Sequence, residues 1–295
     1  MKTFKYKGLV LFAAILWGTT GTSQGLAPEG ASSLSIGAMR MLVGGLVMLL
    51  LAFRVDGKIK LEKNHIPAVL LAGACIGLYQ PLFFASVKMT GVAFGTIMAI
   101  GSAPVFTAFI EIIKGRKPTL VWILSTCMAL IGCYMLFSGQ ADMSVNLTGV
   151  LFALGAGLSY AVYVQASKNV FDILPRLTAN GLIFATSGLL LLPILMLSDI
   201  SWVITAKGAL IVLHLGGITT ALAYTLFAFG LKGVSSPTAV TLTLGEPFTA
   251  AMLGVLIFGE TLTILSITGI AVLFAGLLVA ALPIKEGQET LEIYD

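Results

Sequence analysis

Apolar residues are gathered into long runs along nearly the whole chain, and short polar connections separate one run from the next. Ten runs can be counted, at residues 8–26, 32–53, 66–87, 91–113, 119–137, 147–167, 177–197, 208–231, 237–259 and 263–282. A helix that crosses a hydrocarbon core of about 30 Å needs about 20 apolar residues, and each run is of that order. The pattern therefore predicts ten transmembrane helices, with neighbours along the chain antiparallel because the connections are short.

The order of these runs repeats within the chain. Three pairs of identical residues lie 143 positions apart, namely Phe84 and Phe227, Ala85 and Ala228, and Pro104 and Pro247. Because each copy has an odd number of spans, the two copies would cross the bilayer in opposite directions, as the repeats of many secondary transporters do. We predict an all-α integral membrane protein with two inverted five-helix repeats, 1–143 and 144–285, followed by a cytoplasmic tail at 286–295.

The composition agrees with a lipid environment. Hydrophobic residues make up 58% of the chain, charged residues only 10%, and the mean hydropathy is +1.02. Soluble domains carry about 25% charged residues, so this chain has too few charges to cover a surface that faces water. The net charge of +4 is a poor guide to partners, because the location of the basic residues carries the meaning, and we expect no nucleic-acid partner for an integral membrane protein of this kind.

Lysine and arginine residues are unevenly divided between the two sides of the predicted bundle. With the N-terminus in the cytoplasm, fourteen of the seventeen basic residues lie on the cytoplasmic side, Lys88 and Lys207 lie on the other side, and Arg40 lies within a span. Cytoplasmic loops of membrane proteins carry such an excess of basic residues. We therefore expect both termini in the cytoplasm and the protein in the cytoplasmic membrane.

Several short motifs along the whole chain resemble those of a known family. They are Leu16-Trp17-Gly18, Met39-Arg40, Phe84-Ala85, Glu246-Pro247 and Gly259-Glu260-Thr261-Leu262. The chain resembles a ten-helix, EamA-type member of the drug/metabolite transporter superfamily, and this resemblance implies export or exchange of amino acids or other small metabolites. The first copy departs from the second, with Ala103-Pro104 in place of Glu246-Pro247 and Gly115-Arg116 in place of Gly259-Glu260. The two halves are therefore expected to differ chemically.

Two charged residues lie deep inside predicted spans, where an unpaired charge is costly. Glu246 lies near the middle of the ninth span, where its carboxylate could accept a proton or coordinate a cation. The alternative is a structural role, in which Glu246 pairs with Arg40 or bonds backbone groups freed by Pro247. Arg40 could bind a substrate carboxylate through two parallel hydrogen bonds, or could hold the helices together through an ion pair.

Aromatic and polar side chains inside the spans complete a predicted substrate site. This predicted set consists of Trp17, Thr20, Arg40, Tyr79, Gln80, Tyr160, Tyr163, His214 and Tyr224. Buried tyrosine and glutamine need hydrogen-bond partners, and a ring face can hold an apolar or cationic group, although each residue could equally serve in packing. His214 could relay protons or pack. Pro104 and Pro247 hold equivalent places in the repeat, where they could kink two helices that gate the site or could simply shape the bundle.

Two further acidic residues are expected to have local roles. Glu111 lies three residues before Lys114 near the cytoplasmic end of the fourth span, a spacing that favours an ion pair on one helix face. Glu260 lies in the turn before the last span and is expected to face water. Neither residue is predicted to belong to the substrate site.

The energy source is predicted from a motif that the sequence lacks. The ATP-binding pattern Gly-x-x-x-x-Gly-Lys-[Ser/Thr] is not found in the chain. We therefore predict a secondary active transporter that works by alternating access. We expect it to need no cofactor or metal. Its predicted partners are a small-molecule substrate and the lipid bilayer, and also protons if transport is proton-coupled. A monomer and a homodimer both stay open. The alternatives are a uniporter or passive channel, a membrane-embedded enzyme, and a membrane protein with a structural role only.

Overall fold

The computed structural model describes residues 2–57, 61–138 and 146–282 as a bundle of helices. Every regular element within these ranges is helical, so the predicted all-α class is confirmed. Within these ranges eight helical segments, including Ala206–Gly230 and Ser236–Phe258, which are each made of consecutive elements, are long and apolar enough to cross a membrane, and the chain is an integral membrane protein. The predicted boundary between residues 143 and 144 and the predicted tail at 286–295 lie outside the described residues.

The helices follow one another with short connections in both halves. The first half contains α1 (Lys2–Gly25), α2 (Ser33–Val55), a 3-10 turn (Lys63–His65), α3 (Ile66–Thr90), α4 (Val92–Ile113) and α5 (Leu120–Ser138). The second half contains α6 (Leu147–Ile173), α7 (Arg176–Leu190), α8 (Leu192–Met196), a 3-10 turn (Ser201–Ile204), α9 (Ala206–Leu213), a π-helix (His214–Leu222), α10 (Ala223–Gly230), α11 (Ser236–Leu242), α12 (Gly245–Phe258) and α13 (Ile264–Ala281).

Capping residues fix where many of these helices begin. In each case a side-chain oxygen accepts a hydrogen bond from a backbone N–H of the first turn, which satisfies a donor that has no partner within the helix. The capping residues are Ser32, Asn146, Thr205, Ser235 and Thr263. Gly259 ends α12 with a φ of 68°, a left-handed conformation that favours glycine.

The helices cover all ten predicted segments, but the first and the seventh are not among the eight that are long and apolar enough to cross a membrane. The first segment is the single helix α1, whose last two turns are rich in threonine, serine and glutamine. The seventh segment is divided, because α7 has only 15 residues and stops at Leu190, before the five-residue helix α8. Pro193 lies in the first turn of α8, where its missing N–H costs no hydrogen bond.

The packing of the helices follows the repeat. Helix α1 packs against α12 as α6 packs against α4, and α2 packs against the π-helix as α7 packs against α3. Helices α5 and α13 are equivalent in the two copies, and they pack against each other. Exchanging the two halves therefore reproduces the same set of helix pairs, which is what two inverted five-helix repeats require.

The pair formed by α5 and α13 comes together through glycines. A Cβ atom added to Gly132 would collide with the backbone of Leu273, and one added to Gly276 would lie 2.7 Å from the Ala129 nitrogen. Gly132 and Gly276 lie 144 positions apart in the sequence and are equivalent in the repeat. Small residues let two transmembrane backbones approach closely, so this contact brings the two halves together at the edge of the bundle.

Candidate functional site

A cavity of about 320 Å³ lies between the two halves of the bundle. Both copies of the repeat contribute to its wall, since the side chains come from α1 to α6, from α10 and from the start of α12. A concave site between halves near the middle of the bundle is where secondary transporters bind their substrates. The cavity is therefore the candidate site in this protein.

Most of the residues predicted for the substrate site meet at this cavity. The predicted residues that line it are Trp17, Thr20, Arg40, Tyr79, Gln80, Tyr160, Tyr224, Glu246 and Pro247. They lie on six helices that are far apart in the sequence, and the fold brings them together. Their position makes them candidates for ligand contact.

Three predicted residues do not line the cavity. Tyr163 is fully buried behind it, with its ring centroid 6.0 Å from that of Tyr224. His214 lies at the start of the π-helix, and its Nε2 atom is 2.9 Å from the Thr19 hydroxyl, which matches the alternative of a packing residue. Pro104 lies within α4, and the preceding Ala103 lines the cavity instead.

The ninth span is broken at the cavity, and the break positions Glu246. Helix α11 ends at Leu242 and α12 begins at Gly245, so Glu246 lies in the first turn of α12. Pro247 has no N–H to offer the Thr243 carbonyl, which accepts a hydrogen bond of 2.9 Å from the Glu246 N–H instead. The positive end of the α12 dipole therefore lies beside the carboxylate of Glu246.

The equivalent proline in the first half is accommodated differently. Helix α4 runs without interruption from Val92 to Ile113 with Pro104 inside it. The residue that corresponds to Glu246 is Ala103, which needs no polar surroundings. The two prolines that the sequence places in equivalent positions thus lie in unlike helices, and only the second half brings a carboxylate to the cavity.

Arg40 and Glu246 carry opposite charges but do not form an ion pair with each other. Arg40 is only 8% exposed, and its Nε donates a 3.2 Å hydrogen bond to the Thr220 hydroxyl of the π-helix. Over residues 2–57, 61–138 and 146–282 no ion pair joins Arg40 to Glu246, and the Glu246 carboxylate has no hydrogen-bond partner. Buried charges in membrane proteins are usually paired. Both charges therefore stay open to a ligand in the cavity.

Aromatic rings and unpaired polar atoms surround these two charges. The ring centroids of Trp17 and Tyr224 are 4.6 Å apart, and those of Tyr79 and Tyr160 are 5.8 Å apart. The indole N–H of Trp17 and the hydroxyls of Thr20 and Tyr160 are buried and lack a partner within the described part of the chain. An orphaned buried polar group is costly, so hydrogen-bonding groups of a ligand or water would be favourable here.

Within the described part of the chain, the cavity wall reaches the surface at the end of the bundle where α1 ends and α2 begins. Gly21 and Ser33, where α1 ends and α2 begins, line the cavity and are exposed. Towards the opposite end, where α1 begins, the space is filled by Phe227, Leu242 and Leu244, which are fully buried. Access from one side and closure on the other is the arrangement that an alternating-access carrier has in one of its end states.

A charged network ties α4 to α6 at the closed end. The predicted pair of Glu111 and Lys114 is present, with 3.9 Å between Oε1 and Nζ. Glu111 also accepts hydrogen bonds from Arg116 at 2.9 Å and from Gln165 at 2.6 Å, and Lys114 donates to Gln165 at 3.0 Å. Gln165 lies 54 positions after Glu111 and 51 after Lys114, so these contacts are not revealed by a local spacing rule.

Sequence reasoning missed several residues of the cavity wall. They are Gly18, Gly21, Gln24, Ser33, Phe83, Phe84, Val87, Thr96, Ala99, Ile100, Ala103, Phe137, Thr243 and Ala250. Some of them carry a signal, since Thr243 lies one turn before Glu246 and Phe83 lies one turn after Tyr79. The apolar residues look like any lipid-facing residue in the sequence, because the side of the helix that faces the cavity is set by packing.

Comparison with known protein families agrees with this architecture. The model of the EamA-like transporter family matches the chain twice, at residues 6–138 and at residues 147–282. The chain therefore belongs to the EamA-like transporter family. The two matches correspond to the two five-helix halves described above, and the family fits the drug/metabolite transporter superfamily predicted from the motifs.

Individual relatives extend over nearly the full chain. The chain is 45% identical over 288 residues to the "uncharacterized transporter YwfM" of Bacillus subtilis, covering 97% of each chain. It is 26% identical over 263 residues to the threonine/homoserine exporter RhtA of Escherichia coli, covering 87% of this chain and 84% of that protein. One solved crystal structure matches with a TM-score of 0.81 and 18% identity, over 94% of this chain and 98% of that one, and supports the same fold.

Proposed function

We propose that this transporter is a secondary active carrier that exports amino acids or closely related metabolites across the cytoplasmic membrane by alternating access. The observation that supports it most is the pair of opposite charges, Arg40 and Glu246, that face one cavity without pairing. An amino acid carries one charge of each sign on a small frame, and it would satisfy both. The similarity to RhtA, a threonine/homoserine exporter, supports the same substrate class.

In this proposal the cavity residues have separate roles in substrate binding, proton exchange and helix movement. Arg40 binds the substrate carboxylate, for which the planar guanidinium offers two parallel donors. The Trp17 indole N–H and the Thr20 and Tyr160 hydroxyls supply hydrogen bonds, and the rings of Tyr79 and Tyr224 enclose the substrate. Glu246 exchanges a proton, so that inward proton movement drives substrate out. Gln80 completes the wall, and the break beside Pro247 lets α12 move relative to α11.

The side to which the cavity would open is inferred from the proposed orientation of the chain in the membrane. With both termini in the cytoplasm, the end of the bundle where α1 begins is the cytoplasmic end, and the cavity opens to the outside. The structure is then the outward-open state, from which substrate leaves and a proton enters. The inward-open state would form by the equivalent movement of the other half. We propose that one polypeptide carries the whole path, so a monomer and a homodimer could both work.

Replacing Glu246 by glutamine tests the coupling. In proteoliposomes loaded with a labelled amino acid, we expect Glu246→Gln to bind the substrate more weakly because the substrate ammonium loses its partner charge, to keep counterflow at raised substrate concentration, and to show an at least tenfold smaller stimulation by an inward proton gradient. The matched control is Glu260→Gln, because Glu260 is exposed and lies outside the cavity. If Glu246→Gln responds to the proton gradient as the wild type does, Glu246 does not couple protons to transport.

A facilitative carrier that needs no protons is the second candidate. It is favoured by the lack of a second carboxylate among the described residues that line the cavity. Exchange that proceeds at the same rate with and without a proton gradient would support it over proton coupling. An enzyme is a poorer candidate, since His214 bonds Thr19 and lies outside the cavity wall.

A further inference from the structure

One side of the cavity is lined by apolar residues, and the binding of charged groups by Arg40 and Glu246 does not account for them. Helix α3 places Tyr79, Phe83, Phe84 and Val87 on the cavity wall; the last three lie four, five and eight residues after Tyr79, which keeps all four towards one side of the helix. The rings of Tyr79 and Phe83 are stacked, with centroids 5.6 Å apart and an angle of 15° between their planes. The ring of Phe84 meets that of Phe83 edge-on at 5.3 Å. Helix α3 therefore presents a continuous aromatic surface.

Other helices complete this apolar side. Ile100 of α4, Phe137 of α5 and Ala250 of α12 line the same cavity. Ala99 and Ala103 of α4 are small, and they leave room in front of the rings of α3. The apolar wall is therefore built by both halves of the bundle and is not a single exposed ring.

The size and chemistry of the cavity favour a large guest. A volume of about 320 Å³ could hold about ten waters at roughly 30 Å³ each. A small hydroxylated amino acid would leave much of the apolar wall in contact with trapped water. A large apolar side chain would displace that water, and each added methylene in such a pocket is worth about tenfold or more in selectivity.

From these observations, which rest on the proposed amino-acid carrier, we propose a side-chain subsite. Phe83, Phe84, Val87, Ile100 and Phe137 form its wall, and it selects amino acids with large apolar side chains, such as leucine and phenylalanine, over threonine and homoserine. The charged groups of the substrate lie at Arg40 and Glu246, and its side chain lies along the aromatic surface of α3. The wall carries no carboxylate or cation, so charged side chains are rejected by the cost of burying them.

Competition in proteoliposomes tests the preference directly. Counterflow of labelled leucine is measured while unlabelled phenylalanine, leucine, threonine or homoserine competes from outside. We expect phenylalanine and leucine to inhibit at concentrations at least tenfold lower than threonine and homoserine. Equal or stronger inhibition by threonine or homoserine would overturn the subsite but leave the amino-acid carrier in place. If no amino acid gives counterflow or competition, both the subsite and the proposed function are overturned.

Two substitutions locate the selectivity on α3. Val87→Thr nearly keeps the shape of the side chain and adds a hydroxyl, so we expect the preference for leucine over threonine to fall about tenfold. Phe84→Ala should weaken competition by phenylalanine about tenfold and by threonine less than twofold. The matched controls Val105→Thr and Phe109→Ala change exposed residues of α4, and they should leave the preference unchanged.

The controls distinguish a variant that has lost the subsite from a variant that no longer folds correctly. Each variant must elute as a single species in detergent and must still show counterflow of one competitor. A uniform loss of affinity for all four amino acids in both α3 variants, with an unchanged preference, would overturn the assignment of the subsite to these residues. A loss confined to the large apolar amino acids supports it.

Discussion

At the scale of single residues, the informative finding is that Arg40 and Glu246 are both near the centre of the bundle and are not paired with each other. If the two residues had a purely structural role, they would be expected to form an ion pair, because an isolated buried charge is costly. Arg40 instead bonds Thr220, which holds the guanidinium in place through a neutral partner. The arrangement is typical of a site that leaves its charges for a ligand.

Replacing Arg40 by lysine tests whether substrate binding needs the planar shape of the guanidinium or only its positive charge. Arg40→Lys keeps the positive charge but loses the planar fork that binds a carboxylate through two hydrogen bonds. We expect the KM for the amino acid in counterflow to rise about tenfold, with a smaller change in the maximal rate. The control is Arg54→Lys, at the exposed end of α2. An unchanged KM in Arg40→Lys would show that Arg40 does not contact the substrate.

The sequence was informative about these residues only in part. Their depth in the spans can be counted along the chain, and it placed Arg40, Glu246, Trp17 and Tyr160 in the right layer of the bundle. The direction in which each side chain points depends on how the helices rotate against one another. For that reason Tyr163, one turn from Tyr160, was expected at the cavity and lies buried behind it.

At the scale of helices, two irregular spans meet around the site. The eighth span changes from α-helix to a nine-residue π-helix and back, and the ninth span is broken between α11 and α12. π-helical turns are rare and often occur at functional sites. Proline predicts the break in the ninth span, but nothing in the residue pattern of the eighth span distinguishes π-helix from α-helix.

The contact between α5 and α13 depends on the absence of side chains. Gly132→Ala would place a Cβ on the Leu273 backbone, and backbone atoms of two packed helices cannot give way cheaply. We expect a loss of about 1–3 kcal/mol in stability, seen as a lower midpoint of thermal unfolding in detergent. Gly8→Ala is the matched control, since its Cβ would meet nothing within 4 Å. Equal midpoints for the two variants would contradict the close contact.

At the scale of the whole molecule, the two halves share an architecture but differ in chemistry. The 143-residue offset, the odd number of spans and the basic residues were enough to predict the bundle and its internal repeat. The family match over both halves and the exchange of helix pairs agree with that prediction. The side to which the cavity opens could not be predicted, because both end states of a carrier have the same sequence and such states typically differ in free energy by only about a few kcal/mol.

The difference between the halves bears on how the molecule would work. In the first half α4 runs unbroken past Pro104, and Glu111 near its end is joined to Arg116 of the same half and to Gln165 of the second half. The second half breaks its equivalent helix and brings Glu246 to the cavity. In the proposed mechanism, the symmetry of the halves would supply the two alternative arrangements, and Glu246 would be the coupling group that only the second half carries.

The central claim is that this protein carries amino acids through a cavity that opens to one side at a time. Counterflow measures it most directly, with purified protein in vesicles preloaded with unlabelled leucine and a trace of labelled leucine outside. The label should accumulate transiently inside to well above its equilibrium level, because a carrier exchanges one molecule for another. Label that only rises to equilibrium in the wild type, or that does not enter at all with any amino acid tested, would contradict the claim.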